Sequence, residues 1–238
     1  MSFVQFWGDD NGPAIATSGS NVTSGNVVCG IVFWNSTTIT LTSIANNRGP
    51  NCTLLGNPTA MPVNGMRVAM FYGELTSGGA TCTLTSTFSS SPTVAAIFAH
   101  EYSGIDTAQI VDNAGAAWAL QEMSTGGGGG GVADFVTSGN LTTVTDGCTI
   151  VGFVMDPNIN NDMSSGTGFT DRNTTQTADT RADSEDRVQT TAGAIAATFT
   201  TPTFARVTAV GGIGLKPPTA PAVPGPALWV TRSGIRLS

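Results

Sequence analysis

Residues 81–88, TCTLTSTF, alternate without a break: Cys82, Leu84, Ser86 and Phe88 fall on one side and four threonines on the other. A period of two suits a pleated strand with one dry face and cannot form the apolar stripe of a helix. The same period recurs in TITLT (38–42), through Ile39 and Leu41, and in RVAMFY (67–72), through Val68, Met70 and Tyr72. Three other stretches are continuously apolar: VVCGIVFW (27–34), TVAAIFAHEY (93–102) and CTIVGFVM (148–155). Runs of that length, rich in β-branched and aromatic residues, predict central strands covered on both faces. Only AGAAWALQEM (114–123) suits a short helix, and a glycine run follows it at once. The expected fold is all-β, an antiparallel sandwich.

Two parts of the chain repeat a pattern. GNVVCGIVFW and DGCTIVGFVM are each followed by a loop, an "RV" pair (Arg67 and Arg187), an alternating strand, a Ser/Thr-Pro-Thr turn and an Ala/Val-rich strand. Two similar Greek-key-like halves predict a jelly roll. The organisation read from these signals is an N-terminal segment at 1–24, a sandwich domain at 25–215 and an extended arm at 216–238. Within the domain, residues 156–191 are rich in Asn, Asp, Thr and Ser and are expected to be a long loop. STGGGGGGV (124–132) lacks the GK[ST] of a phosphate loop.

Charged residues make up only 11% of the 238 and the net charge is −7. All 16 acids lie at or before Asp186, whereas Arg187, Arg206, Lys216, Arg232 and Arg236 follow it. Five bases over that length are too thin for a nucleic-acid footprint. No apolar run reaches the roughly 18 residues of a membrane span, and MSFVQFWGDDNG does not read as a secretory leader. Cys29, Cys52, Cys82 and Cys148 are far apart and three lie in strand-like runs, so they are expected to be small buried hydrophobes. Without a leader, the five Asn-x-Ser/Thr sequons are the by-product of a chain rich in Asn and Thr.

Few residues point to chemistry. DPNINND places Asp156, Asn158, Asn160 and Asp162 at the alternate spacing of oxygen ligands for calcium, but the glycine and glutamate of a calcium loop are missing. An Asx-rich turn explains the same residues. DTRADSEDR (179–187) interleaves acids with Arg181 and Arg187 and reads as a solvated, self-paired loop. His100 is the chain's one histidine, and on a strand it shares a face with Phe98 and Tyr102 while Glu101 points the other way. With no GxSxG elbow, a packed histidine is the expectation, and the chain is not expected to be an enzyme. No cofactor is implied.

The arm differs from the rest. Pro217, Pro218, Pro221, Pro224 and Pro226 forbid helix or central strand and leave a stiff spacer. Beyond it lie Leu228, Trp229, Val230, Arg232, Ile235 and Arg236, residue types that anchor interfaces. They are expected to contact a neighbouring copy or shell, and their alternation also suits strand addition to a neighbour's edge; folding back on the same domain is the alternative.

With these residues in view, the chain resembles the Thr/Ser/Gly-rich β-sandwich proteins of tailed-bacteriophage virions, especially capsid decoration (cement) proteins. The resemblance rests on GNVVCGIVFW, DGCTIVGFVM and TVAAIFAHEYSGID, with its EYSG turn, and on the leaderless start. It implies a homo-oligomer, a homotrimer or another oligomer, that binds the major capsid protein on the outside of a virion and stabilises the shell. It also implies synthesis in a host cytoplasm without secretion. A carbohydrate- or receptor-binding module of a tail or fibre, using loops at 156–191, is the alternative.

Overall fold

The computed structural model describes residues 1–9, 15–61, 66–113, 115–124, 134–156, 163–176, 181–201 and 207–219. The described residues are all β, with no helix. The first half holds β1 (Ser2–Asp9), β2 (Ile15–Thr17), β3 (Val27–Trp34), β4 (Leu41–Asn46), β5 (Thr53–Met61), β6 (Met66–Glu74), β7 (Thr83–Phe88) and β8 (Ala95–Ser103). The second half holds β9 (Trp118–Ser124), β10 (Asp134–Thr137), β11 (Leu141–Thr142), β12 (Cys148–Asp156), β13 (Ser164–Ser165) and β14 (Thr170–Gln176). It continues with β15 (Arg181–Gln189), β16 (Ala194–Ile195), β17 (Thr198–Thr201) and β18 (Val207–Leu215).

The strand orders of the two halves coincide. The first half forms a five-stranded sheet, β1-β8-β3-β6-β5, and a three-stranded sheet, β2-β7-β4. The second forms β9-β18-β12-β15-β14 and β10-β17-β13, with β11-β16 as an extra ribbon. Strand for strand in chain order, the pairing is the same. Every ladder is antiparallel. The repeat in the sequence is therefore a repeat of whole two-sheet units, each complete in itself.

Burial shows how the units meet. On β3, Val27, Cys29, Ile31 and Phe33 belong to one core together with Val151, Phe153 and Met155 of β12. The alternate residues Val28, Val32 and Trp34 pack instead with Leu84 of β7 and Ile44 of β4. Val154 and Val210 likewise pack with Val136 and Phe199 of the second small sheet. The two large sheets thus lie face to face, each backed by its own small sheet, in four layers. All eight residues of β3 are buried, as its unbroken apolar run predicts. Gly30 sits where a Cβ would lie 2.0 Å from the Phe98 carbonyl oxygen, so no other residue fits this crossing.

Four expectations change. AGAAWALQEM contributes strand β9, because its backbone pairs with β18 from Trp118 to Ser124. The stretch 156–191 holds β13, β14 and β15 rather than one long loop. RVAMFY is covered on both faces, since Ala69 and Phe71 pack against the small sheet while Val68 and Met70 face the other unit. Finally, the two "RV" pairs are not equivalent. Arg67 pairs with Trp34 near the start of β6, whereas Arg187 pairs with Ile150 near the end of β15.

Candidate functional site

The acidic run at 179–187 is the largest departure from the sequence reading. Within it, Asp183, Ser184, Glu185 and Asp186 are buried on β15, which is paired on both sides by β12 and β14. A solvated loop could not do this, and the reason lies in what each face of β15 meets.

One face looks into the gap between the large sheets. There Ser184 and Asp186 of β15 meet His100 and Tyr102 of β8. Ser184 Oγ lies 2.8 Å from His100 Nε2, and His100 Nδ1 lies 3.2 Å from the Tyr102 hydroxyl. Tyr102 donates to Asp186 Oδ2 at 2.8 Å, and Arg172 of β14 holds Asp186 Oδ1 at 2.8 Å. Because the Tyr102 proton goes to Asp186, its oxygen accepts from His100 Nδ1–H, which leaves Nε2 to accept from the Ser184 hydroxyl. The result is one directional chain from Ser184 through His100 and Tyr102 to the Asp186–Arg172 pair.

The surroundings are aromatic and closely packed. His100 is fully buried, edge-on to Phe3, Phe6 and Phe153 at centroid distances of 5.2, 5.5 and 4.9 Å. The Arg172 guanidinium stacks 4.9 Å over the Phe3 ring and seals the edge. Burial, helped by the Arg172 charge, lowers the His100 pKa to about 3. Burial also pushes the Tyr102 hydroxyl well above its ordinary value. The hydrogen bond to Asp186 holds the Arg172 guanidinium still more firmly protonated.

The other face of β15 meets its small sheet. Glu185 accepts from the backbone N–H of Gly166 at 2.7 Å and of Thr198 at 2.9 Å, and burial raises its pKa to about 7. Glu101 of β8 does similar work in the first unit. It accepts from Gln5 Nε2 at 2.6 Å, Asn26 Nδ2 at 2.6 Å and Thr23 N at 3.1 Å. Each buried carboxylate satisfies donors of segments that would otherwise be stranded under a sheet.

A Ser–His pair at 2.8 Å has the spacing of a nucleophile and its base. Here, however, the group behind the imidazole is a phenol, Ser184 is 2% exposed, and the ring that would take the proton is hard to protonate. A reacting carbonyl needs about 3 Å of free approach to the serine, and the packed rings leave none. A groove lined by Ser86, Thr87, Phe88, Ser90, Ser91 and Pro92 lies on the first small sheet, away from this network.

The remaining sequence candidates are placed as follows. His100 is packed, with Glu101 on the opposite face, as the alternation requires. All four cysteines are free and buried; burial raises the Cys52 and Cys148 thiols to about 12 and Cys82 to about 11. Among the described residues no group of three or more His, Cys, Asp or Glu could hold a metal. Asp156 closes β12, and its side chain lies outside the described residues together with Asn158, Asn160 and Asp162. Leu228, Trp229, Val230, Arg232, Ile235 and Arg236 lie outside them as well. Ser184, Asp186 and Arg172 were not legible as partners of His100, since each joins it only through sheet stacking. No protein-family model, curated protein or solved structure matches the chain.

Proposed function

We propose that this chain is a non-enzymatic structural protein of a bacteriophage virion, an oligomeric decoration protein that binds the outside of the capsid shell. The observation that carries the reading is the sealed network. The groups best suited to catalysis, His100 with Ser184, Tyr102 and Asp186, are buried and hydrogen-bonded to one another across two sheets. What such a molecule offers its surroundings is surface: Thr-rich strand faces, sheet edges and a basic, proline-rich arm. Each half is read as a jelly-roll-like winding, and a rigid four-layer stack of two such units suits a load-bearing role. The residues GNVVCGIVFW, DGCTIVGFVM and TVAAIFAHEYSGID, through which the chain resembles decoration proteins, support the same reading. In that role the arm, through Trp229, Arg232 and Arg236, contacts a neighbouring subunit.

The test is to separate a producing culture's lysate on a density gradient and locate the chain by mass spectrometry. Comigration with the major shell protein at particle density is expected. A position at the top of the gradient, as a free oligomer, overturns the reading and turns attention to a glycan- or receptor-binding role.

A further inference from the structure

The Ser-Pro-Thr turn between β7 and β8 has no task in the assembly role, yet it is firmly held. At its start, Ser89 N donates to the Thr40 carbonyl oxygen at 2.9 Å, and Ser89 Oγ accepts from Thr40 N at 3.0 Å. At its end, Asn35 N donates to the Val94 carbonyl oxygen at 3.0 Å, and Asn35 Oδ1 accepts from Val94 N at 2.8 Å. Two reciprocal pairs thus tie the turn to residues 35–40, and Pro92 stiffens its middle. A turn fixed in this way keeps its shape before anything binds to it, which lowers the cost of binding. Beside it runs a groove of about 240 Å³, lined by Ser86, Thr87, Phe88, Ser90, Ser91 and Pro92. The Phe88 ring is half-buried, 5.3 Å from the Trp34 ring at a 58° tilt. Trp34 is itself fixed, since its Nε1–H donates to the Ile39 carbonyl oxygen at 2.8 Å. Thr87, Ser90 and Ser91 are exposed. Ser86 is only 5% exposed, and its Oγ has no hydrogen-bond partner among the described residues. Native chains pair nearly all buried hydroxyls. At the wall of a groove, a ligand met by rotation of the serine about χ1 supplies the partner that the chain does not.

We infer that this groove binds one neutral pyranose ring of a glycan, stacked on Phe88 and hydrogen-bonded to the surrounding hydroxyls. The C–H face of such a ring is apolar and suits an aromatic side chain. Its hydroxyls donate and accept, as do those of serine and threonine. A site of this kind sets one apolar surface beside a few polar groups that fix orientation. None of the six lining residues is charged, so the groove has no counterpart for a phosphate, a carboxylate or an ammonium group. A nucleotide would stack on Phe88 equally well, but its phosphate would find no lysine or arginine in the lining. The volume is below the ~300–1,000 Å³ of sites for drug-sized ligands, and a single ring suits it. Ser90 and Ser91 open on solvent, so the rest of the glycan can continue outward. The groove lies on the first small sheet, an outer layer of the four, and not in the core between the units. The inference goes beyond the assembly role and does not depend on it.

The test uses the full-length protein labelled with nitrogen-15 and the methyl glycosides of glucose, galactose, mannose and N-acetylglucosamine. Each is titrated to about 50 mM, well above the dissociation constant of about 1–10 mM expected for one small ring. At least one glycoside should move the amide signals of residues 86–91. In the Ser90→Ala/Ser91→Ala double variant, binding should weaken about tenfold for two lost hydrogen bonds. The melting temperature should not change, because both side chains are exposed. Ser86→Ala should also weaken binding without lowering the melting temperature, since its Oγ makes no bond for the fold to lose. Phe88→Leu should abolish binding; it also removes the contact with Trp34, so the serine variants carry the test if that variant fails to fold. Three results would overturn the inference: no movement at 86–91 with any of the four glycosides, full binding by the Ser90→Ala/Ser91→Ala variant, or a response there to adenosine or a neutral dipeptide and to no glycoside. Glycoside binding by a protein absent from particles refutes the virion role alone, and particle association without glycoside binding refutes this site alone.

Discussion

Two buried residues pull the stability of this protein in opposite directions as pH changes. His100 titrates near 6.5 when unfolded and near 3 in the fold. Between those values unfolding takes up a proton, so stability rises with pH and is lost on acidification. Glu185 has an ordinary value of 4.5 and about 7 in the fold. Between these it is the folded state that holds the extra proton, so the stability this group contributes is full below 4.5 and is lost as pH rises through 7. From pH 4.5 to 6.5 the slopes oppose each other, and the wild-type unfolding free energy should be nearly level. Glu185→Gln removes one of them, and its stability should climb by ~2 kcal/mol over the same window. Denaturant unfolding at several pH values checks this; a variant as flat as the wild type would contradict the burial of one group or the other. Gly30 offers a sharper contrast. Gly30→Ala must displace the Phe98 carbonyl and the Phe71 ring and should cost about 3 kcal/mol or more. Gly19→Ala meets nothing within 4 Å and should leave the melting temperature nearly unchanged.

At the scale of elements, the apolar central strands were legible, and β15 and β9 were not. β3, β8 and β12 are mostly apolar on both faces because each is sandwiched between two layers, with His100 and Glu101 of β8 as buried polar exceptions. β15 occupies an equally buried place with Asp-Ser-Glu-Asp at its centre. Its polarity is tolerated because Gly166, Thr198, His100, Tyr102 and Arg172 supply partners from other elements. Nothing near it in the chain announces those partners, so the same letters read as a loop. β9 was misjudged for the opposite reason. Its Ala, Leu, Gln, Glu and Met favour a helix, and the ladder with β18 overrides that weak preference. The His100 side of the network was partly legible, because alternation alone puts His100 with Tyr102 and sets Glu101 apart. The Ser184 side, 84 residues away, was not.

For the whole molecule, the shared core between the large sheets decides how the chain unfolds. Residues of both units, from Ile31 and Phe98 to Phe153 and Ile213, form that single core. Neither unit can leave without exposing the other's inner face, so thermal unfolding should be one transition, with tryptophan fluorescence and far-ultraviolet circular dichroism coinciding. Two resolved transitions would mean that the units are independent domains joined by a linker. The joint is also asymmetric. His100 of the first unit corresponds by strand pairing to Ile213 of the second, and Ser184 to Met70. One side of the pseudo-symmetric interface is therefore a hydrogen-bonded chain and the other is apolar, which fixes a single way for the units to dock. Since His100 is the chain's one histidine and lies in that joint, its imidazole reports directly on whether the units are closed and the network sealed. The decisive measurement is an NMR titration of protein labelled with nitrogen-15 at histidine. A single neutral imidazole, protonated at Nδ1 and unchanged from pH 8 down to 5, is the predicted result. A midpoint near 6.5 would mean an exposed, proton-exchanging histidine and would contradict both the closed joint and the non-enzymatic reading built on it.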